Sequence, residues 1–227
     1  MGARQFKKEI LELLSHKAFE KSLEKILQLP ARQSVNPLFS FFYNSDELVR
    51  WWAVAAMGTV VSNLADHDME SARVIMRRLI WNLNDESGGI GWGSPEAMGE
   101  IMARHERLAG EYHKILVSYI MPDGNYLEHE LLQRGVLWSV GRLAHARPQL
   151  VEDSAPFLLP YMESEDANLR GLAAWTAGLF DCKTTRKLLK RLENDQATLT
   201  IYLNDKLEEF TVAQLALMRK TGQSPQL

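Results

Sequence analysis

Apolar residues recur at helical spacing along most of the chain. In residues 46–55 (DELVRWWAVA), Leu48, Trp52 and Ala55 fall at helical spacing; in residues 166–175 (DANLRGLAAW), which align 120 positions later, Leu169, Leu172 and Ala173 do the same. Each stretch predicts an amphipathic helix with a small-residue side suited to close packing. The segment Ala55-Ala56-Met57-Gly58 returns as Glu96-Ala97-Met98-Gly99, then more loosely as Trp138-Ser139-Val140-Gly141 and Trp175-Thr176-Ala177-Gly178. The glycines are separated by 41, 42 and 37 residues, close to the period of helix-pair repeats. These segments read as the second helices of their pairs. First helices are predicted at 37–43, 69–82, 107–120 and 155–162, and a further pair at 4–14 and 17–29 is closed by Pro30.

The end of the chain departs from this rhythm. After a basic helix at 184–192, Leu199-Thr200-Ile201-Tyr202-Leu203 alternates with period two, Asn204-Asp205 supplies a turn, and 206–210 returns as a second strand. Thr211 with Gln214 three residues on forms a capping box, and Phe210 and Leu215 have the spacing of a hydrophobic staple, so a short last helix is expected. Residues 221–227 are expected to be loose. The units lie at roughly 4–30, 36–64, 69–104, 107–147 and 154–181, with a cap at 184–220, all read as one domain over 1–227.

The pattern Asp46, Leu48-Val49-Arg50, Ala53, Ala55-Ala56, Gly58, repeated as Asp166, Leu169-Arg170, Ala173-Ala174, Gly178, resembles bacterial HEAT-like repeats of the phycobilisome-lyase type over roughly residues 36–180. The resemblance implies an all-α, HEAT-like α-solenoid of about five helical pairs with a small C-terminal β-hairpin. It also implies that the aspartate and arginine of each unit, Arg50 and Arg170 included, form a structural ladder between neighbouring repeats. It implies no particular chemistry, because such repeats serve scaffolds, adaptors and some enzymes. The segment from Gly88 to Glu96 is similar to one in bacterial proteins of this class.

Composition narrows the function classes. The 227 residues are 46% hydrophobic and carry a formal charge of −3, so a folded core is expected and no overall attraction to phosphate backbones or anionic lipid arises. The one cysteine, Cys182, forms no internal disulfide and points to a reducing compartment. The N-terminus runs straight into a charged amphipathic segment with no signal-like apolar region, and no apolar run reaches the length of a membrane span. A cytoplasmic protein without membrane association is expected.

The main irregularity is Asp85-Glu86-Ser87-Gly88-Gly89-Ile90-Gly91-Trp92-Gly93-Ser94-Pro95-Glu96, where the second repeat should begin its inner helix. Gly91 takes the place that Arg50 holds in the first unit. Ser94 and Pro95 are expected as N-cap and first helical residue of a shortened helix. A glycine turn entering a helix presents free N–H groups to an anion, but there is no lysine, no preceding strand, and Glu96 would repel a phosphate. Glu96 and Glu100 share one helical face, with His105, Glu106, Glu111 and His113 following; a solvated acidic face is the plain expectation and a metal or proton-sharing site the sharper one. His105-Glu106 and His129-Glu130 are similar to dipeptides of a HEAT-repeat di-iron hydroxylase, yet that enzyme's histidine positions correspond here to Trp51, Trp92, Arg134 and Gly171.

Six tryptophans are expected mostly in the core, with Trp51 and Trp92 available to line an inner face. The basic residues Lys183, Arg186, Lys187, Lys190 and Arg191, with Arg73, Arg77 and Arg78, keep nucleic acid open as an alternative, against the net charge. The leading expectation is a protein-interaction module that holds a protein or peptide on its concave face through Trp51, Gly89, Gly91, Trp92, Glu96 and Glu100. An enzyme, cofactor or metal-binding protein using the Glu96 and Glu100 face is the alternative. No complete catalytic or metal-ligand set is recognised, and no cofactor is expected.

Overall fold

The computed structural model describes residues 3–16, 18–84, 91–180 and 182–218. They fall in two compact units, Met1–Leu108 and Ala109–Leu227. The first contains α1 (Ala3–Leu14), α2 (Phe19–Leu27), α3 (Ala31–Phe41), α4 (Glu47–His67), α5 (Met69–Asn84) and α6 (Ser94–Arg104). Its centre is α4, whose run Trp52 to Gly58 is buried along with Val49, Val60, Val61 and Ala65, and which packs on α3, α5 and α6. By length and composition this helix could cross a membrane, but most of it is enclosed by the unit's own side chains, which is how a core helix buries a wide apolar surface.

The local signals explain the ends of α4. Asp46 takes the N-cap position, its carboxylate accepting from the N–H groups of Leu48 (2.9 Å) and Val49 (3.3 Å). Asp46→Ala leaves those donors without their acceptor and is expected to lower stability by about 1 kcal/mol, read from the midpoint shift in urea at unchanged slope. At the far end Asp68 leads into α5. Hydrogen bonds from the Ser71 hydroxyl and backbone, then from Arg32, pull its carboxyl down to about 2. The Arg32–Asp68 pair is 2.6 Å long and ties α3 to the start of α5.

The start of α3 differs from expectation, as does the helix expected at 155–162, which is a 3₁₀ turn up to Leu158 and α-helical only over Leu159–Met162. Helix α3 starts at Ala31, directly after Pro30, and carries Pro37 inside it where a start was predicted. Ser34 and Val35 are buried, so docking of the first turn against the core holds the helix together across the hydrogen bond that Pro37 cannot donate.

Helices α4 and α6 run side by side in the same sense. Arg50 faces Glu96, Gly58 meets Glu100, and Asp66 lies 3.5 Å from His105, in matching order along both. A Cβ on Gly58 would come within 2.7 Å of Glu100 Cβ, so this repeat glycine lets the two backbones approach.

The second unit takes in most of α7 (Glu106–Ser118), then α8 (Glu130–Ala146), 3₁₀ turns at Pro148–Leu150 and Glu152–Leu158, α9 (Leu159–Met162), α10 (Ala167–Ala177) and α11 (Lys183–Leu192). Here Gly141 on α8 repeats the function of Gly58: a Cβ there would collide with the Trp175 ring on α10. The arginine ladder is present in this unit. Arg134 donates to Asp166 Oδ2 (3.0 Å) while Asp166 caps α10, and Arg170 donates to Asp195 Oδ2 (2.8 Å). Burial raises the Asp195 carboxyl, but the Arg170 and Ala197 hydrogen bonds outweigh it and hold the pKa below the ordinary value.

A two-stranded antiparallel sheet, β1 (Thr198–Leu203) and β2 (Lys206–Thr211), follows as the expected hairpin, pairing Leu199 with Phe210 and Leu203 with Lys206. Asn204 and Asp205 have φ of 49° and 61°, the two positive values that a type I′ hairpin turn requires. Alternate residues Leu199 and Ile201, with Tyr202, are buried, and Trp138 Nε1 on α8 donates to the Tyr202 carbonyl at 3.0 Å. The hairpin is thereby fixed to α8 of its own unit. The Thr211–Gln214 capping box opens α12 (Val212–Leu217).

Candidate functional site

Of the predicted site residues, Trp51 lies on α4, Gly91 and Trp92 in the turn before α6, and Glu96 and Glu100 on α6, all in the first unit. Gly89 and residues 85–88 and 90 lie outside the described residues. Gly91 and Gly93 have φ of 65° and 72°. Their positions also have no room: a Cβ at Gly91 would lie 2.7 Å from the Asn82 carbonyl oxygen, and one at Gly93 2.7 Å from Phe42 Cγ. The turn is therefore wedged between the last residues of α5 and the end of α3, with the Ser94 N–H closing it on the Gly91 carbonyl at 3.0 Å. Gly93→Ala brings both a left-handed backbone penalty and a clash with Phe42; a loss of about 2 kcal/mol is expected, measurable by thermal unfolding.

The helix start differs by one residue from the expectation. Gly93 is the N-cap, in the left-handed conformation, and Pro95 occupies the first turn. Ser94 is the first helical residue, fully buried, with its hydroxyl 3.5 Å from Asn82 Nδ2. Because Gly93 reverses the chain just before the helix, Ser94 turns inward instead of capping.

The acidic pair is not a solvated face. Glu100 is 4% exposed, and its Oε2 accepts from Arg104 Nε at 2.9 Å beside Gly58. Glu96 has a half-buried stem and an enclosed carboxyl whose Oε2 has no hydrogen-bond partner among the described residues. Burial pushes its pKa up to about 7; its own backbone N–H and the charge of Arg50 offset only part of that. The helical period predicts that 96 and 100 share a face, and it is silent on what that face meets. It meets α4.

Arg50, half-buried, reaches the Asn44 carbonyl (3.4 Å) and Glu47 (3.8 Å) and lies in the electrostatic reach of Glu96. Residues 85–90, where the acid of the next inner helix would fall, lie outside the described residues, so the ladder expected of Arg50 is seen only at Arg134 and Arg170. Trp51 and Trp92 are both half-buried, whereas Trp52 is 8% exposed and stacks on Phe19 at 4.9 Å. The exposed tryptophan is Trp81. It is 69% exposed on α5, in line with Val74 at the heptad-like interval 74, 78, 81. The exposed positions 70, 74, 77, 78 and 81 form a stripe with helical period, and Trp81 is the exception to tryptophans expected mostly in the core.

The two His-Glu dipeptides stand at helix starts. His105 Nδ1 accepts from the Leu108 N–H (3.2 Å) at the start of α7, and His129 stands at the N-cap of α8. No three His, Cys, Asp or Glu side chains converge among the described residues. The basic side chains of α11 are exposed, with Arg191 paired to Glu163 at 3.3 Å.

The fold defines an all-α protein of stacked helix pairs closed by a small hairpin. No protein-family model matches the chain. A protein of Archaeoglobus fulgidus, described only as uncharacterized, is 29% identical over 119 residues; the match covers 52% of this chain and 56% of that protein, so the chain spans little more than half the length of the relative it matches. Among solved structures, an engineered protein superposes with a TM-score of 0.52 at 13% identity, over 93% of both chains. A designed armadillo repeat protein superposes at 0.48 with 14% identity over 92% and 95% of the two chains. A related designed armadillo protein, solved with the peptide (KR)4, gives 0.49 at 14% identity over 92% and 96%.

Proposed function

We propose that this protein is an interaction module that binds a peptide segment of a partner protein on the face built by α4 and the start of α6. The observation that carries the reading is the Glu96 carboxyl, desolvated by folding yet with an oxygen that meets no donor among the described residues. Leaving that oxygen without a donor is unfavourable by about 1–3 kcal/mol, which a ligand N–H recovers when binding displaces the side chains that enclose it. Half-buried Trp51 and Trp92 supply apolar contact area on the same two segments, the combination typical of a recognition anchor. The glycine turn holds Trp92 in a fixed place, so binding requires little ordering. Helical-repeat scaffolds of the HEAT-like, phycobilisome-lyase type would use such a face in the cytoplasm, where the lone Cys182 stays reduced.

The test is selection of binders to the wild-type chain from a random peptide library. Selected peptides should lose about tenfold or more in affinity for Trp92→Ala and for Glu96→Gln. Peptides that bind both variants as tightly as the wild type would remove the site from consideration.

A second reading, a general acid or base at Glu96, draws on the same near-neutral pKa. It lacks a working partner, since the neighbouring carboxylate, Glu100, is engaged by Arg104. Loss of peptide binding in Glu96→Gln with no turnover by the wild type separates the two.

A further inference from the structure

An open groove of about 560 Å³ lies between α1 and α3, lined by Arg4, Gln5, Lys7, Lys8, Leu11 and Phe41. Its chemistry is divided by depth. The floor is apolar: Phe41 is 4% exposed and Leu11 half-buried. The rim is cationic: Arg4, Lys7 and Lys8 are all exposed, and none of the lining residues is acidic. Lys7 Nζ sits 5.4 Å from the Phe41 ring centroid, so one cation is poised directly over the floor. Lys8 pairs with Glu12 at 3.6 Å, but both groups are about two-thirds exposed, and a surface pair of this kind is easily exchanged for another.

Three cations within five residues make a local positive field on a chain whose net charge is −3. An anionic partner is therefore favoured here while the rest of the molecule disfavours it. The recessed floor decides which anion. A bilayer surface is flat and presents headgroups, so it would meet the rim and leave Phe41 uncovered. A nucleic-acid backbone would satisfy the cations but not an apolar floor. A protein segment with carboxylates flanking one large apolar side chain satisfies both, and the volume falls in the range that holds a side chain with its adjoining backbone.

We infer that the groove between α1 and α3 docks an acidic protein segment, which inserts one large apolar side chain onto Phe41 and Leu11 and sets its carboxylates against Arg4, Lys7 and Lys8. This surface shares no residue with the α4–α6 face and stands whether or not that face binds peptide.

Fluorescence anisotropy of the labelled peptide Asp-Glu-Asp-Phe-Glu-Asp-Glu against the full chain tests it. Binding is expected at low salt and should weaken about tenfold or more when ionic strength rises severalfold, because the rim charges are screened. Replacing the peptide's phenylalanine by serine should weaken binding about tenfold, and Arg4→Glu with Lys7→Glu should abolish it, whereas Trp92→Ala should leave it intact. A melting curve of the double variant checks its fold; if that variant is destabilised, the milder Lys7→Gln with Lys8→Gln should still reduce affinity about tenfold. The inference is overturned by absence of binding to the wild type, by equal binding of the two peptides, by undiminished binding to the folded charge variants, or by binding of phosphatidylserine vesicles in preference to the peptide.

Discussion

Trp175→Ala is expected to lower the unfolding free energy by about 3–5 kcal/mol, enough to leave much of a protein of ordinary stability unfolded at moderate temperature. Trp175 is 2% exposed and is the largest of the fully enclosed side chains. Its indole fills the space that Gly141 leaves open on α8, and it stacks on His145 at 4.6 Å and 28°. Truncation removes the apolar surface and also opens a void that helices locked by Arg134–Asp166 and Arg170–Asp195 cannot collapse to fill. The same burial, with the charge of Arg142 as a lesser cause, holds the His145 pKa down to about 4. Water entering the cavity should let it rise toward its ordinary value, visible as a shifted proton titration in any folded fraction. Trp81→Ala is the control: at 69% exposure it should change stability by no more than about 0.5 kcal/mol. A loss below about 1 kcal/mol for Trp175→Ala in urea unfolding would contradict the packing described for α8 and α10.

The second large effect is a pH dependence carried by Glu96. Its carboxyl has a folded pKa of about 7 against an ordinary value of 4.5. Between those values the native state holds a proton that the unfolded state has released, so stability falls as pH rises through the window. A shift of that size corresponds to about 3 kcal/mol, complete above pH 7 and absent below pH 4.5. His145 acts in the opposite sense: its folded pKa of about 4 lies below 6.5, so stability falls as pH drops from 6.5 toward 4. The two slopes overlap and largely offset each other in the wild type, which is why the variant carries the information. The stability difference between Glu96→Gln and wild type should move in favour of the variant by about 3 kcal/mol from pH 4.5 to pH 8, whatever constant offset the amide introduces. A difference that is flat with pH would mean that Glu96 is solvated, and the proposed recognition site would lose its central group.

The parts of this protein that the sequence determined are those set by interactions within a few residues or by a repeating phase. The Asp46 and Asp166 caps, the Thr211–Gln214 capping box and the Asn204-Asp205 turn each satisfy their own backbone groups locally, so their residues announce them. The recurring glycines at 58 and 141 mark close helix approach because only a missing side chain permits it. What only the tertiary structure decided is which face of each helix meets which neighbour. Periodicity puts Glu96 and Glu100 on one side of α6 and Arg104 one turn beyond Glu100, but cannot say that this side is pressed against α4, where Glu100 meets Gly58 and the Glu96 Oε2 is enclosed with no hydrogen-bond partner among the described residues. It counts six tryptophans but does not separate Trp175, buried against Gly141, from Trp81, left in solvent. Burial is a property of two surfaces at once, and helical phase specifies only one of them.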